Sequence, residues 1–131
     1  MIRVCLDTSA YSRLKRGGEN SLQGLLEKAD EILVPVTTLG ELHAGFHLGS
    51  RLHENIQELE EFLAQPGVLV VPITENIAER YGVIVKRLRD QGTPIPTNDI
   101  WIAATTLETG ARLVAYDRHF HQVSGIIVES P

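Results

Sequence analysis

Residues 2–9 read Ile-Arg-Val-Cys-Leu-Asp-Thr-Ser, an apolar run stopped by an acid and two hydroxyls. A run this short is a buried strand, and an acid directly behind it stands where the chain leaves a sheet. The pattern returns at Leu113–Tyr116, which Asp117 follows. Further apolar runs lie at Ile32–Val36, Val68–Val71 and Ile126–Val128. Helical spacing fills the intervals: Ser9–Lys15, closed by Gly17-Gly18; Ser21–Ala29; a segment capped by Thr37 or Thr38 and running to about Leu48; and Leu52–Leu63. Two more helices follow, one from Thr74 or Glu75 with Ile77, Tyr81, Ile84 and Leu88 on one face, the other from Asp99 to Gly110. Strands alternating with helices need crossover connections, and therefore a parallel sheet with helices on both faces. The expected fold class is α/β, a three-layer sandwich, with residues 1–131 forming one domain.

The totals suit that expectation. The chain has 131 residues, 43% of them hydrophobic and 22% charged, a globular composition. No apolar run approaches the roughly 18 residues of a membrane span, and Met1 leads almost directly into a strand. A cytoplasmic protein with no membrane partner is expected. Cys5, the one cysteine, sits in the first apolar run and is expected to be a core thiol. The net charge of -5 argues against tight non-specific DNA binding but leaves room for a small RNA site. Basic residues cluster at Arg13, Lys15 and Arg16, and again at Lys86, Arg87 and Arg89. The first cluster follows Asp7 closely enough to meet a substrate phosphate; the second reads as a solvated helix face.

Four carboxylates sit where apolar elements end or begin: Asp7, Glu41, Asp99 and Asp117. Each has an ordinary explanation. Asp7 could cap the helix behind it, Asn98 could cap the next one with Asp99 in its first turn, and Asp117 could open a turn. Having all four at ends that a parallel sheet brings together is less ordinary. Ligands of open α/β sheets bind in the crevice at the carboxyl ends of the strands. Two carboxylates ~4 Å apart at an effective dielectric of ~20 repel by on the order of 4 kcal/mol. A hard divalent cation relieves that repulsion, and oxygen donors suit Mg2+ or Mn2+. Thr8, Ser9, Thr97 and Asn98 stand beside the acids and could orient them. His43 and His47 are four apart on one helix but lack the HExxH order, and no zinc site is expected there.

LDTSAY at the start, TTLGEL with its Glu41, PTNDIWIAA and LVAYDRHF resemble, in order, the four acidic motifs of the PIN-domain ribonucleases. More narrowly, the chain resembles the VapC-type toxins of toxin–antitoxin pairs, over residues 2–120. The resemblance implies a central parallel five-stranded sheet with the first strand in the middle and the fourth beside it. It implies a Mg2+ site (Mn2+ as the alternative) of Asp7, Glu41 and Asp99, with Asp117 contributing. It also implies RNA phosphodiester hydrolysis, an antitoxin partner and a homodimer. Family members often carry Thr and then Asn or Arg ahead of the fourth acid, where this chain has Ala115 and Tyr116. In the closing motif Phe120 looks like a packing anchor, and no catalytic role is expected of His119. Trp101 is expected in core packing or a subunit interface rather than base stacking, and the apolar stripe Leu52–Phe62 is a candidate interface.

Two other functions compete. A metal-free PIN-like scaffold would have lost one or more of the acids, and all four are present. A receiver-like signalling module needs an acid pair at the first strand end and a Lys after a later strand; the chain has a single Asp7 there, and Asp117 in place of the Lys.

Overall fold

The computed structural model describes residues 1–17 and 20–131. The Gly18 half of the expected Gly17-Gly18 stop lies outside the described residues. The chain runs β1 (Arg3–Leu6), α1 (Thr8–Arg16), α2 (Asn20–Lys28), β2 (Glu31–Pro35), α3 (Val36–Leu48), α4 (Leu52–Leu63), β3 (Val68–Val71), α5 (Glu75–Gln91), α6 (Thr97–Thr109) and β4 (Arg112–Val114). A 3-10 turn at Arg118–Gln122 and β5 (Val128–Glu129) complete it.

The five strands form one sheet in the order β3-β2-β1-β4-β5, every pairing parallel. Side chains alternate across a strand, and the two faces bury different sets. Val4, Leu6, Val34 and Val114 face a core completed by Tyr11, Leu22, Leu26, Leu42, Leu59 and Phe62 from α1 to α4. Cys5, Leu33 and Leu113 face the opposite core, built by Ile77, Ile84 and Leu88 of α5, Ile100 and Ile102 of α6, and Phe120. The three-layer α/β sandwich is therefore as expected. Burial pushes the Cys5 thiol up to about 12, so it packs as a neutral side chain. On α4, the stripe considered as an interface folds Leu59 and Phe62 into the protein's own core.

Several boundaries differ from the sequence expectation. Neither Thr37 nor Thr38 caps α3, which begins at Val36 directly behind Pro35. Proline holds a backbone angle suited to helix entry, and Thr38, three residues past the cap position, donates its hydroxyl to the Leu6 carbonyl at the end of β1 (3.0 Å). Likewise α6 starts at Thr97 behind Pro96, and no side chain caps it. The Pro96 carbonyl instead accepts from the amides of Asp99 (3.1 Å) and Ile100 (3.2 Å). The last strand lies at Val128–Glu129 rather than 126–128, because its pairing with β4 begins at Val128 opposite Leu113. Gly110 closes α6 at φ 68°, a left-handed conformation that glycine adopts without penalty.

Phe120 is completely buried in the core of the α5–α6 face. Phe120→Ala is expected to lower unfolding free energy by about 3–5 kcal/mol, read as a shifted urea midpoint at unchanged slope.

Candidate active site

The order β3-β2-β1-β4-β5 reverses direction at β1, whose neighbours are β2 on one side and β4 on the other. Connections to the two sides diverge at such a point and leave a crevice beyond the strand ends. Asp7 is the first residue past β1, and its amide still donates to the Val114 carbonyl of β4 (3.2 Å). Asp117 leaves β4 three residues after Val114. Helix α3 carries Glu41, and Asp99 lies in the first turn of α6.

Asp7 is 4% exposed. Its carboxylate caps α1 by accepting from the Ala10 amide at 2.8 Å, and the Ser9 hydroxyl lies 2.7 and 2.9 Å from its two oxygens. Ser9 Oγ in turn accepts from the Tyr116 amide (3.2 Å), tying Asp7 to the exit of β4. The neighbouring Thr8 donates its hydroxyl to Glu41 Oε1 at 2.7 Å. The two hydroxyls beside Asp7 therefore orient two different acids.

His119 is the surprise of the site. Its Nδ1 lies 2.9 Å from Asp99 Oδ2 and 3.0 Å from Asp117 Oδ1. The Asp99 contact is a hydrogen bond, in which an ionised carboxylate accepts from Nδ1–H; toward Asp117 the ring nitrogen makes only a close approach. The His119 amide also donates to Asp117 Oδ1 (3.0 Å), which makes Asp117 the cap of the 3-10 turn. One donor atom from each of Asp99, Asp117 and His119 lies within 4.8 Å of the others, close enough to share one ion. The spacing from Asp117 to His119 was the available signal: a single tight turn brings a side chain two residues on back over the acid.

Burial first, and then the charges of Asp99 and Asp117, push the Asp7 carboxyl up to about 6, against the hydrogen bonds from Ala10 and Ser9. Asp99 is also raised, first by burial and then by Asp117 and Glu41, while His119 acts in the opposite sense. All four acids thus share one field. Their donors are mainly oxygen, and their mutual repulsion is what a divalent cation would relieve.

Thr97 and Asn98 remain exposed at the start of α6. In the basic run, the Arg13 guanidinium lies over the Tyr116 ring, 3.8 Å from its centroid. Lys15 and Arg16 line a separate groove with Leu42, Phe46, Asn55 and Glu58. Lys86 pairs with Asp90 on the exposed side of α5, as a solvated face should. His43 and His47 are exposed on α3. Trp101 stacks on Tyr81 with centroids 4.0 Å apart, a packing role.

A model of the PIN domain family matches residues 4–126. The chain belongs to the PIN-domain family. Among curated relatives, it is 30% identical over 87 residues to Ribonuclease VapC4 of Mycobacterium tuberculosis, covering 66% of this chain and 67% of the relative. It is 29% identical over 132 residues to Ribonuclease VapC2 of Haemophilus influenzae, covering 99% of this chain and 98% of the relative. The fold superposes on the structure of VapBC-1 from nontypeable Haemophilus influenzae with a TM-score of 0.87 at 23% identity, over 98% of this chain and 97% of that one. On DNA-bound VapBC from Salmonella typhimurium the TM-score is 0.86 at 24% identity, over 98% of both chains.

The raised Asp7 carboxyl makes the stability of this PIN domain depend on pH. The folded state holds that proton more tightly than the unfolded chain, whose Asp titrates near ~3.9. Stability from this group is thus full below pH ~4 and lost as pH rises toward ~6. Ionised Asp7 then weakens the metal-free fold by on the order of 2–3 kcal/mol. Asn caps a helix as well as Asp does. Asp7→Asn is therefore expected to raise Tm in EDTA at pH 7 and to leave it nearly unchanged at pH 4. A lower Tm at pH 7 would show that the carboxylate's bonds to Ala10 and Ser9 outweigh the repulsion.

Proposed function

We propose that this chain is a metal-dependent endoribonuclease of the VapC type, the toxin of a toxin–antitoxin pair, working as one PIN-like domain over residues 1–131. The observation that carries the reading is the convergence of Asp7, Glu41, Asp99 and Asp117 at the switch point of the sheet. Family membership and relatives named Ribonuclease VapC support the same chemistry.

Asp7, Glu41 and Asp99 would hold Mg2+, or Mn2+ in its place, with Asp117 contributing. When bound, the ion supplies a Lewis acid for a phosphate oxygen and makes a bound water more acidic. The chain's own residues set the stage for the attack. Ser9 holds Asp7, Thr8 holds Glu41, and His119 keeps Asp99 and Asp117 at a common distance. Asp117 is exposed, with 44% of its side chain open, where Asp7 is buried and Glu41 and Asp99 are half-buried, and this suits it to accept a proton from the attacking water and pass it to solvent. His119 supports the site as a positioning residue.

An antitoxin is the expected protein partner, because the superposed structures are of VapBC complexes. Two copies of the chain are expected to associate, in the cytoplasm. Among the described residues, no helix is long and apolar enough to cross a membrane.

Purified protein is expected to cut total cellular RNA into defined fragments with Mg2+ or Mn2+ and to stop in excess EDTA. Asp7→Asn and Asp99→Asn should each abolish cleavage while remaining folded by circular dichroism. Either ion at saturating concentration should also raise Tm of the wild type, as any ligand selective for the folded state does, and should do so less in the two variants. Metal-independent cutting, or cutting that survives Asp7→Asn, would exclude this mechanism.

A further inference from the structure

His119 reaches back over the crevice from the turn that Asp117 caps, and the fold fixes where it stands. Its amide donates to Asp117 Oδ1 (3.0 Å), and the next residue, Phe120, is completely buried. Nδ1 then lies 2.9 Å from Asp99 Oδ2 and 3.0 Å from Asp117 Oδ1, two oxygens from different elements of the chain. Asp7 and Glu41 each have a hydroxyl neighbour, Ser9 and Thr8, whereas among the described residues the Asp99 carboxylate bonds His119 alone. Donor atoms of Asp99, Asp117 and His119 also form the one group of three possible metal ligands, among the described residues, that all lie within 4.8 Å of one another.

We propose that His119 is itself a metal ligand: beside Asp99 and Asp117 it gives the site a nitrogen donor, so that Mn2+ is held in preference to Mg2+. The inference deepens the metal-dependent ribonuclease reading and rests on it. Adjacent donors around an octahedral ion at ~2.1 Å stand ~3 Å apart, the spacing that Nδ1 already keeps from both oxygens. The three donors therefore stand ready for an ion, with little movement to make. An imidazole binds through a nitrogen that carries no proton, so the Nδ1 proton passes to solvent and the ring carries its proton on Nε2. Among the described residues nothing bonds Nε2, and with 45% of the side chain exposed, water can accept that N–H. A nitrogen donor discriminates between ions. Mg2+ favours oxygen and keeps its waters, while imidazole favours first-row transition ions, with affinity rising from Mn2+ to Co2+.

The test uses the full chain without RNA, at one pH near neutrality, with Mg2+, Mn2+ or Co2+ added. Wild type is compared with His119→Asn, His119→Ala and a variant in which the four other histidines, His43, His47, His53 and His121, all exposed, are changed to Gln. Asparagine at 119 keeps an N–H that can donate to Asp99 but has no nitrogen lone pair, so it separates positioning from ligation. Pulsed electron paramagnetic resonance of Mn2+-loaded wild type is expected to show the coupling of a bound imidazole nitrogen. That coupling survives in the variant that keeps His119 alone and disappears in His119→Asn and His119→Ala. By calorimetric titration, wild type binds Mn2+ about tenfold more tightly than Mg2+. His119→Asn leaves Kd for Mg2+ within about twofold of wild type and raises Kd for Mn2+ at least about tenfold, the loss that removal of even a ligand's supporting partner brings; the rise for Co2+ is larger still.

A His119 that only positions the acids would give no nitrogen coupling in wild type, and His119→Asn would bind all three ions as wild type does. Either result overturns this inference and leaves the ribonuclease reading standing, as does a coupling lost with the four other histidines. Where the variants at 119 do not fold, wild type and the variant that keeps His119 alone decide the question between them. Wild-type protein that binds none of the three ions and leaves total RNA intact overturns the ribonuclease reading and this inference with it.

Discussion

Four acids at one point of a sheet are held together by neighbours that donate hydrogen bonds, and the rest of the structure is arranged around that constraint. Asp7 shows the balance most clearly. It is buried and shares the field of two other carboxylates, which drive its carboxyl toward the neutral form, while Ser9 and the Ala10 amide favour the charge. Neither side wins outright, and the result is a group poised near pH 6. Hydrogen bonds alone do not remove the repulsion; a bound cation would. A site that is uncomfortable when empty binds metal more tightly for that reason, since relief of repulsion adds to the affinity.

The sheet explains why these acids meet at all. With β1 central and β2 and β4 on either side, the chain must leave in opposite directions from adjacent strand ends. Asp7 and Asp117 occupy those exits. Glu41 and Asp99 come from helices that both enter behind prolines, Pro35 and Pro96, which set the direction of α3 and α6 without a side-chain cap. Thr38 reinforces this from below by bonding the last carbonyl of β1. The hydroxyls at the crevice are thereby divided between fold and site: Thr38 joins a helix to a strand end, and Thr8 and Ser9 hold acids.

Most of this could be read from residue order. Short apolar runs ending in acids located β1 and β4, and helical spacing located all six helices to within a residue or two. What could not be read were contacts made by chain folding back on itself. Threonines ahead of an apolar helix look like caps, but a proline at the strand end takes that position, and the pattern carries no sign of which will prevail. His119 looked like part of a closing packing motif because Phe120 beside it is one; only the tight turn at 118–122 shows that its ring returns to Asp99, twenty residues earlier in the chain. The tie from Tyr116 to Pro131 is likewise invisible to periodicity, since it joins a strand exit to the last residue.

Asp7 and Asp117 also show why the ordinary and the functional readings of such acids do not exclude each other. Both do cap local structure, Asp7 the helix α1 and Asp117 the 3-10 turn. A carboxylate has about four lone-pair positions, and a cap uses only one or two of them. Capping fixes the side chain against the backbone, so that the remaining lone pairs point in a defined direction. The helix N-terminus behind Asp7 also favours its negative charge, which partly offsets the burial. A capping acid at a strand exit is therefore a pre-oriented donor, and the residue type that folds the turn is the one that chemistry at the crevice requires.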